Sequence, residues 1–358
     1  MSELRNAAPE NYRRQLFAGV SALALLASIC GTRATRADDT DRPIIWLDLG
    51  GAFDQMSRGE TSWLPPNLTP PISNPPLEPF GRVPSVGYDL DAAISFQPGN
   101  SDWIYSVSVR YGRAKLGPKQ NHDQTYVLKT EGISHKYVLT NYDFANATQQ
   151  SHSSHAILDF NVGREVGIGA FNDGKVTIHF GVRVAQLNEK SDADLIAFIS
   201  APAKYSPSEV SHTAEANISR SFAGAGPAIS WDVETPILGS LKDGISLDWR
   251  ANAAILFGRQ KTHIALHTRD AQYYKPSGNL ATRVLMHSTA TPVRDKTVIV
   301  PNVGGLVGLS YRRSNAKVSF GYRADFFFGA LDGGLATSQK DTRGFYGPFA
   351  NISIGIGG

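Results

Sequence analysis

The chain has 358 residues, 34 of them glycine, with 10% aromatic and 19% charged residues spread along its length. No apolar run reaches the ~20 residues that a membrane helix needs, which excludes a helical membrane protein. Five of the 35 basic residues and two of the 32 acidic ones lie in residues 1–37, which leaves 30 of each sign beyond them. The net charge of +3 therefore belongs to that first segment, and nothing in the rest points to nucleic-acid binding.

Residues 1–37 read as a cleaved export signal. Arg13 and Arg14 form a basic start, Leu16 to Ile29 is a short apolar core, and Thr35-Arg36-Ala37 offers small residues for cleavage. Gln15-Leu16 after the arginine pair matches a twin-arginine signal poorly, so ordinary Sec export is the reading. The bulky Ile29 before Cys30 argues against a lipoprotein site. Cys30 is the chain's single cysteine, so residues 38–358 hold no disulfide and no thiolate chemistry.

From about Ile44 the pattern changes to dyad alternation, the signature of strands that face two different environments. Ten segments carry it: about 44–53, 86–97, 103–114, 154–166, 174–187, 217–233, 244–258, 297–312, 316–329 and 347–357. In the third, Trp103, Tyr105, Val107, Val109 and Tyr111 make one apolar face with aromatics at both ends. In the last, isoleucines alternate with Asn351, Ser353 and Gly355. A membrane β-strand needs roughly 9–11 such residues, and aromatic girdles flank its lipid-facing band.

The connections alternate strictly in length. Pro98–Asp102, Gly167–Asp173, Glu234–Asp243 and Arg313–Asn315 are short; about 54–85, 115–153, 188–216, 259–296 and 330–346 are long. Outer-membrane barrels sort tight periplasmic turns from long external loops in this way, and a soluble sandwich has no reason to. The fold predicted is all-β: one antiparallel transmembrane β-barrel over residues 38–358, with about 10 strands (range 8–12) and both ends in the periplasm. The first long segment, with Leu64-Pro65-Pro66, Pro70-Pro71 and Pro75-Pro76, cannot pair as a central strand. It is the candidate for a loop that narrows the lumen. A short helix is expected within Glu189–Ser200.

If the isoleucines, valines and aromatics face lipid, the alternate positions face inward. The candidate lumen-lining residues are Asp89, Asp91, Arg110, Asp159, Arg183, Arg220, Asp248, Arg250, Arg323 and Asp325, with Asp48, His179 and Asp232 on the same faces. Such charges require water or partners. Two arrangements satisfy them: a wet channel with separate acidic and basic walls, or Arg–carboxylate pairs that zip a narrow barrel shut. Side chains fill barrels near eight strands and aqueous channels open near sixteen, so ten strands favour the second.

Other motifs read as structural. Gly167-Ile168-Gly169 lacks the following helix that a dinucleotide loop needs, and Gly304-Gly305 and Gly308 read as close strand packing. His152 and His155, and His263 and His267, read as solvated loop histidines rather than metal ligands. There is no HExxH motif and no nucleophile-elbow serine, so no catalytic residue, metal or cofactor is expected. Arg323 and Asp325 read as a structural ion pair before a selectivity pair.

Gly321-Tyr322-Arg323-Ala324-Asp325-Phe326-Phe327-Phe328, then Asp332-Gly333-Gly334, then Arg343-Gly344-Phe345-Tyr346-Gly347-Pro348-Phe349 resembles the pore-forming outer-membrane family typified by the Legionella major outer-membrane protein. Phe222-Ala223-Gly224-Ala225-Gly226-Pro227 is similar to another family segment, and the likeness is best over roughly 217–358. The resemblance implies a porin-like barrel of a Gram-negative outer membrane and assigns no catalytic or ligand residue. The ending Ile356-Gly357-Gly358 departs from the terminal aromatic usual in such barrels.

The function expected is passive diffusion of small hydrophilic solutes through a polar lumen. The alternative is a non-conducting surface barrel that acts as adhesin or structural protein through its long loops. Partners expected are outer-membrane lipids and lipopolysaccharide, the barrel assembly machinery and small hydrophilic solutes. A homo-oligomer is compatible with the sequence.

Overall fold

Eleven strands occupy the described residues: β1 (Ile44–Ser57), β2 (Ser85–Gln97), β3 (Trp103–Tyr126), β4 (Tyr142–Glu165), β5 (Lys175–Ser200), β6 (Ser208–Gly239), β7 (Asp243–Tyr274), β8 (Ala281–Ala290), β9 (Val293–Arg313), β10 (Ala316–Asp332) and β11 (Lys340–Ile356). The structure, a computed structural model, describes residues 44–57, 85–99, 101–126, 142–166, 174–200, 208–241, 243–274, 281–334 and 338–357. The expected signal, the proline-rich segment and Gly167–Gly169 lie outside them.

Every pairing is antiparallel, and ten strands close into a ring. The order runs β1 to β7, then β9, β10 and β11, and β11 returns to β1 from Ile45↔Ile356 to Ser57↔Gly344. Closure matters physically. A sheet edge in hydrocarbon would leave backbone N–H and C=O groups without partners, at several kcal/mol each. The ten-strand ring agrees with the sequence reading.

The eleventh strand, β8, stands outside the ring, in the segment expected to be loop at 259–296. β9 pairs β7 from Asp243↔Arg313 to His263↔Val293. Beyond that point β7 continues and β8 pairs it from Leu266↔Ala290 to Tyr274↔Ala281. A free stretch of β7 edge is thereby covered by a local hairpin.

The strands also run further on the loop side than the alternation of apolar residues indicates. β4 and β5 stay in register to Asp143↔Ile199, and β5 and β6 to Ser200↔Glu209. The helix expected within Glu189–Ser200 is therefore corrected: that segment is strand. Its residues pair on both sides, and two ladders of interstrand bonds outweigh a weak local helical preference.

Two faces follow from the period of two. Outside, Ile352, Ile354 and Ile356 are 52–53% exposed, while Ser353 between them is buried inside. Aromatics ring both ends of the outer surface. Phe96 pairs with Tyr105 near the turns, and Phe53 with Tyr88 towards the loops; all four rings are exposed.

The inner wall is shaped for large polar side chains. Gly112 stands opposite His155, and a Cβ there would lie 2.3 Å from the imidazole. Gly304 stands opposite Asp325, and its Cβ would lie 1.9 Å from Asp325 Oδ1. Close packing is thus the role of Gly304, and what it admits is a charged group. At the tight β9–β10 turn, Ser314 takes a positive φ of 52°, a left-handed conformation that L side chains adopt at a cost.

Candidate functional site

The inner faces of the ring build three levels, from the turn end to the loop end.

Nearest the turns is a polar cavity of about 460 Å³. Of the candidate lumen residues, Asp91, Arg110, Asp159, Arg183, Asp248, Arg250, Arg323 and Asp325 line it, together with Asp48, His179 and Asp232. Asp89 and Arg220 do not. Asp89 is buried at the cavity's inner end, and Arg220 lies beyond it, among the loop-side charges.

Acids and bases are interleaved in pairs. Near the mouth, Arg250 grips Asp232 with two bonds of 2.6 and 2.9 Å, and Lys317 bridges Asp248 at 2.7 Å and Glu234 at 3.2 Å. Deeper, Arg183 holds Asp159 with bonds of 2.7 and 2.9 Å, and its Nη1 reaches across the bore to Asn252 at 2.9 Å and to Asn302. Arg110 on β3 donates to Asp325 on β10 at 2.6 Å. Arg323 on β10 forms an ion pair with Asp89 at 2.7 Å and donates to Asp91 at 3.0 Å, both on β2. These last contacts join strands that are not neighbours in the ring, so they brace the wall across β11 and β1. Arg323 and Asp325 pair with β2 and β3, not with the strands beside them. Fork-shaped guanidinium contacts of this kind fix geometry as well as charge.

The second level is apolar. Met56, Ile157, Leu187, Phe222, Leu256, Val300, Phe327, Leu331 and Phe345, with Ala114, Ala185, Ala254 and Ala330, form one buried cluster. They come from β1, β3, β4, β5, β6, β7, β9, β10 and β11, that is, from nearly every side of the ring. Phe222, Leu256, Val300 and Phe327 are 0% exposed. Phe327 meets Phe345 edge-on at 5.9 Å. Side chains that would line an open pore instead touch one another across it.

The third level is a second set of charges, buried on the loop side. Arg343 of β11 pairs with Glu189 of β5 and with Asp341 at 2.6 Å. Arg220 of β6 approaches Glu189 at 3.7 Å and donates to the Gly333 carbonyl at 3.0 Å. Asp332 accepts from the backbone N–H groups of Gly334 at 3.1 Å and Gln339 at 2.8 Å, and pairs with Arg294 at 2.8 Å. The Asp332-Gly333-Gly334 stretch is thus pinned inward. Among the described residues this segment reaches into the mouth; the proline-rich segment expected to narrow the lumen lies outside them.

One histidine reading is corrected. His155 is an interior strand residue, 1% exposed, with Nε2 3.1 Å from Asp89 Oδ2 and its ring 4.1 Å from that of Phe345. It shares a face with Ile157 and Asp159, which is the signal that places it inside. His152 is exposed on the other face of β4, and His263 and His267 lie on the loop-side extension of β7. Sequence reading missed Asp54, Glu189 and Arg343 because each sits just outside a strand drawn too short at its loop end. All three continue the inward parity of their strands.

The family model of the Legionella pneumophila major outer membrane protein precursor matches residues 84–356. The chain belongs to the Legionella major outer membrane protein family. Its location is the bacterial outer membrane. No curated protein matches the sequence. Solved structures similar to this family member include the translocator domain of the autotransporter NalP from Neisseria meningitidis, 8% identical over 96% of each chain with a TM-score of 0.22. The transport unit of the autotransporter AIDA-I from Escherichia coli is 8% identical over 93% of this chain and 96% of that one, with a TM-score of 0.20. A FadL homologue of Pseudomonas aeruginosa is 9% identical over 88% of this chain and 90% of that one, with a TM-score of 0.24.

Proposed function

We propose that this outer-membrane barrel is a porin-like channel for small hydrophilic solutes, held closed by its apolar level. The observation that supports this most is the cavity of about 460 Å³, walled by paired charges and ending on the buried cluster around Phe222, Phe327 and Phe345. A polar cavity gives an ion or small polar solute substitutes for its hydration shell. An apolar constriction blocks it, because a hydrated solute cannot shed water there without compensation; such constrictions gate by dewetting. Passage then requires the rings of Phe327 and Phe345 to move aside. With acids and bases interleaved, the lumen sorts solutes by width before sign.

The same apolar level also supports a second reading, a non-conducting surface barrel whose loop-side extensions bind other surfaces. Lipids and lipopolysaccharide would surround the barrel in both cases, and the assembly machinery would insert it.

Recordings in planar bilayers separate the two. Stepwise, salt-dependent currents from the wild type, enlarged in the Phe327→Ala/Phe345→Ala variant, are the expected result. Silence from both proteins, each folded and heat-modifiable, overturns the channel reading in favour of the second.

A further inference from the structure

Asp54 of β1, Asp89 of β2 and His155 of β4 converge inside the wall, with one ligand atom of each within 4.8 Å of the others. All three are buried: Asp54 is 2% exposed, Asp89 1% and His155 1%. Asp54 Oδ1 and Oδ2, Asp89 Oδ1 and His155 Nδ1 have no hydrogen-bond partner among the described residues. A buried carboxylate with neither hydrogen bond nor counter-ion is among the most expensive groups a fold can hold. Asp89 is paired through Oδ2 alone, so the unpaired Asp54 beside it calls for a proton or a cation between the two carboxyl groups.

The neighbouring arginines do not fill that role for Asp54. Arg323 and Arg110 both point at Asp89 Oδ2, at 2.7 and 3.7 Å, and are shared with Asp91 and Asp325. The local balance is four carboxylates, Asp54, Asp89, Asp91 and Asp325, against those two guanidiniums. With His155 neutral and all four carboxyl groups ionised, two negative charges remain, which is the charge of one divalent cation.

We propose that Asp54, Asp89 and His155 form a binding site for a divalent transition-metal ion such as zinc. One imidazole and two carboxylates are a donor set suited to that class, and they leave positions open for water. The protein builds the niche deliberately: Gly112 leaves the space that the His155 ring occupies, since a Cβ there would lie 2.3 Å from the ring. The ion would sit beside the apolar level through the His155–Phe345 contact. The site stands whether or not the barrel conducts.

The test uses the full-length protein extracted in detergent, loaded with Zn²⁺ and passed through metal-free buffer. The expected result is one retained Zn²⁺ per chain, with affinity at least about tenfold weaker in Asp54→Asn and in His155→Gln and unchanged in His152→Gln, whose histidine is exposed. Zn²⁺ also raises the thermal unfolding temperature of the wild type, a readout that holds where a variant folds poorly. The proposal is overturned if the wild type neither retains Zn²⁺ nor is stabilised by it, in which case a proton bridges the carboxylates. It is equally overturned if the two site variants bind as tightly as the wild type, which places the ion on surface histidines.

Discussion

The two ends of the bore solve the same electrostatic problem differently. Near the turns, Arg250 pairs with Asp232 while its side chain remains 49% exposed. Near the loops, Arg343 pairs with Glu189 and Asp341, and all three side chains are 2–3% exposed. An ion pair in water is worth about 0–1 kcal/mol, whereas stripping one partner from a buried pair costs about 3–5 kcal/mol. The Arg250–Asp232 pair therefore contributes little to holding the wall and, in the channel reading proposed above, is available to a passing solute. The loop-side charges are committed to holding the wall together. Between them lies the apolar level.

The same substitution at each end gives the sharpest contrast. Arg343→Met leaves Glu189 and Asp341 buried with one guanidinium fewer, and should lower unfolding stability by about 3–5 kcal/mol in urea titrations of the detergent-solubilised barrel. Arg250→Met should change it by less than about 1 kcal/mol. Equal effects would break the distinction between the ends. In the level between them, Phe327→Ala removes a fully buried ring and should cost about 3–5 kcal/mol. Gly112→Val pushes on His155 and through it on Phe345, with an expected loss of about 1–3 kcal/mol, read in the same titration. The smallest effect is expected at the turn: Ser314→Gly removes the strain of a positive φ and should raise stability by up to about 1 kcal/mol.

Most of the wall was legible in the sequence because a lipid face and a lumen face impose a period of two on every strand. Trp103 to Tyr111 shows it within nine residues, and the alternation of short and long connections gives the ring its count of ten. What the period cannot show is where pairing stops once the lipid band ends. Beyond that band polar, small and apolar residues mix on both faces, so the alternation fades while the ladder continues. β5 therefore runs on past Leu187 through Glu189, and Arg343 falls inside β11. β8 was hidden because Ala281–Ala290 carries no clear alternation of apolar and polar residues. The partners of each inward charge were equally illegible. Arg110 and Asp325 are 215 residues apart in the chain, and only the closed ring brings them to 2.6 Å.

Thiol labelling addresses the division of the bore most directly. With Cys30 replaced by serine, a cysteine at Asp48 faces the turn-side cavity, and one at Val300 lies within the apolar level. A membrane-impermeant thiol reagent should label Asp48→Cys readily and leave Val300→Cys unmodified in the folded barrel. Equal labelling at both positions would mean that water runs through the level taken here to be sealed.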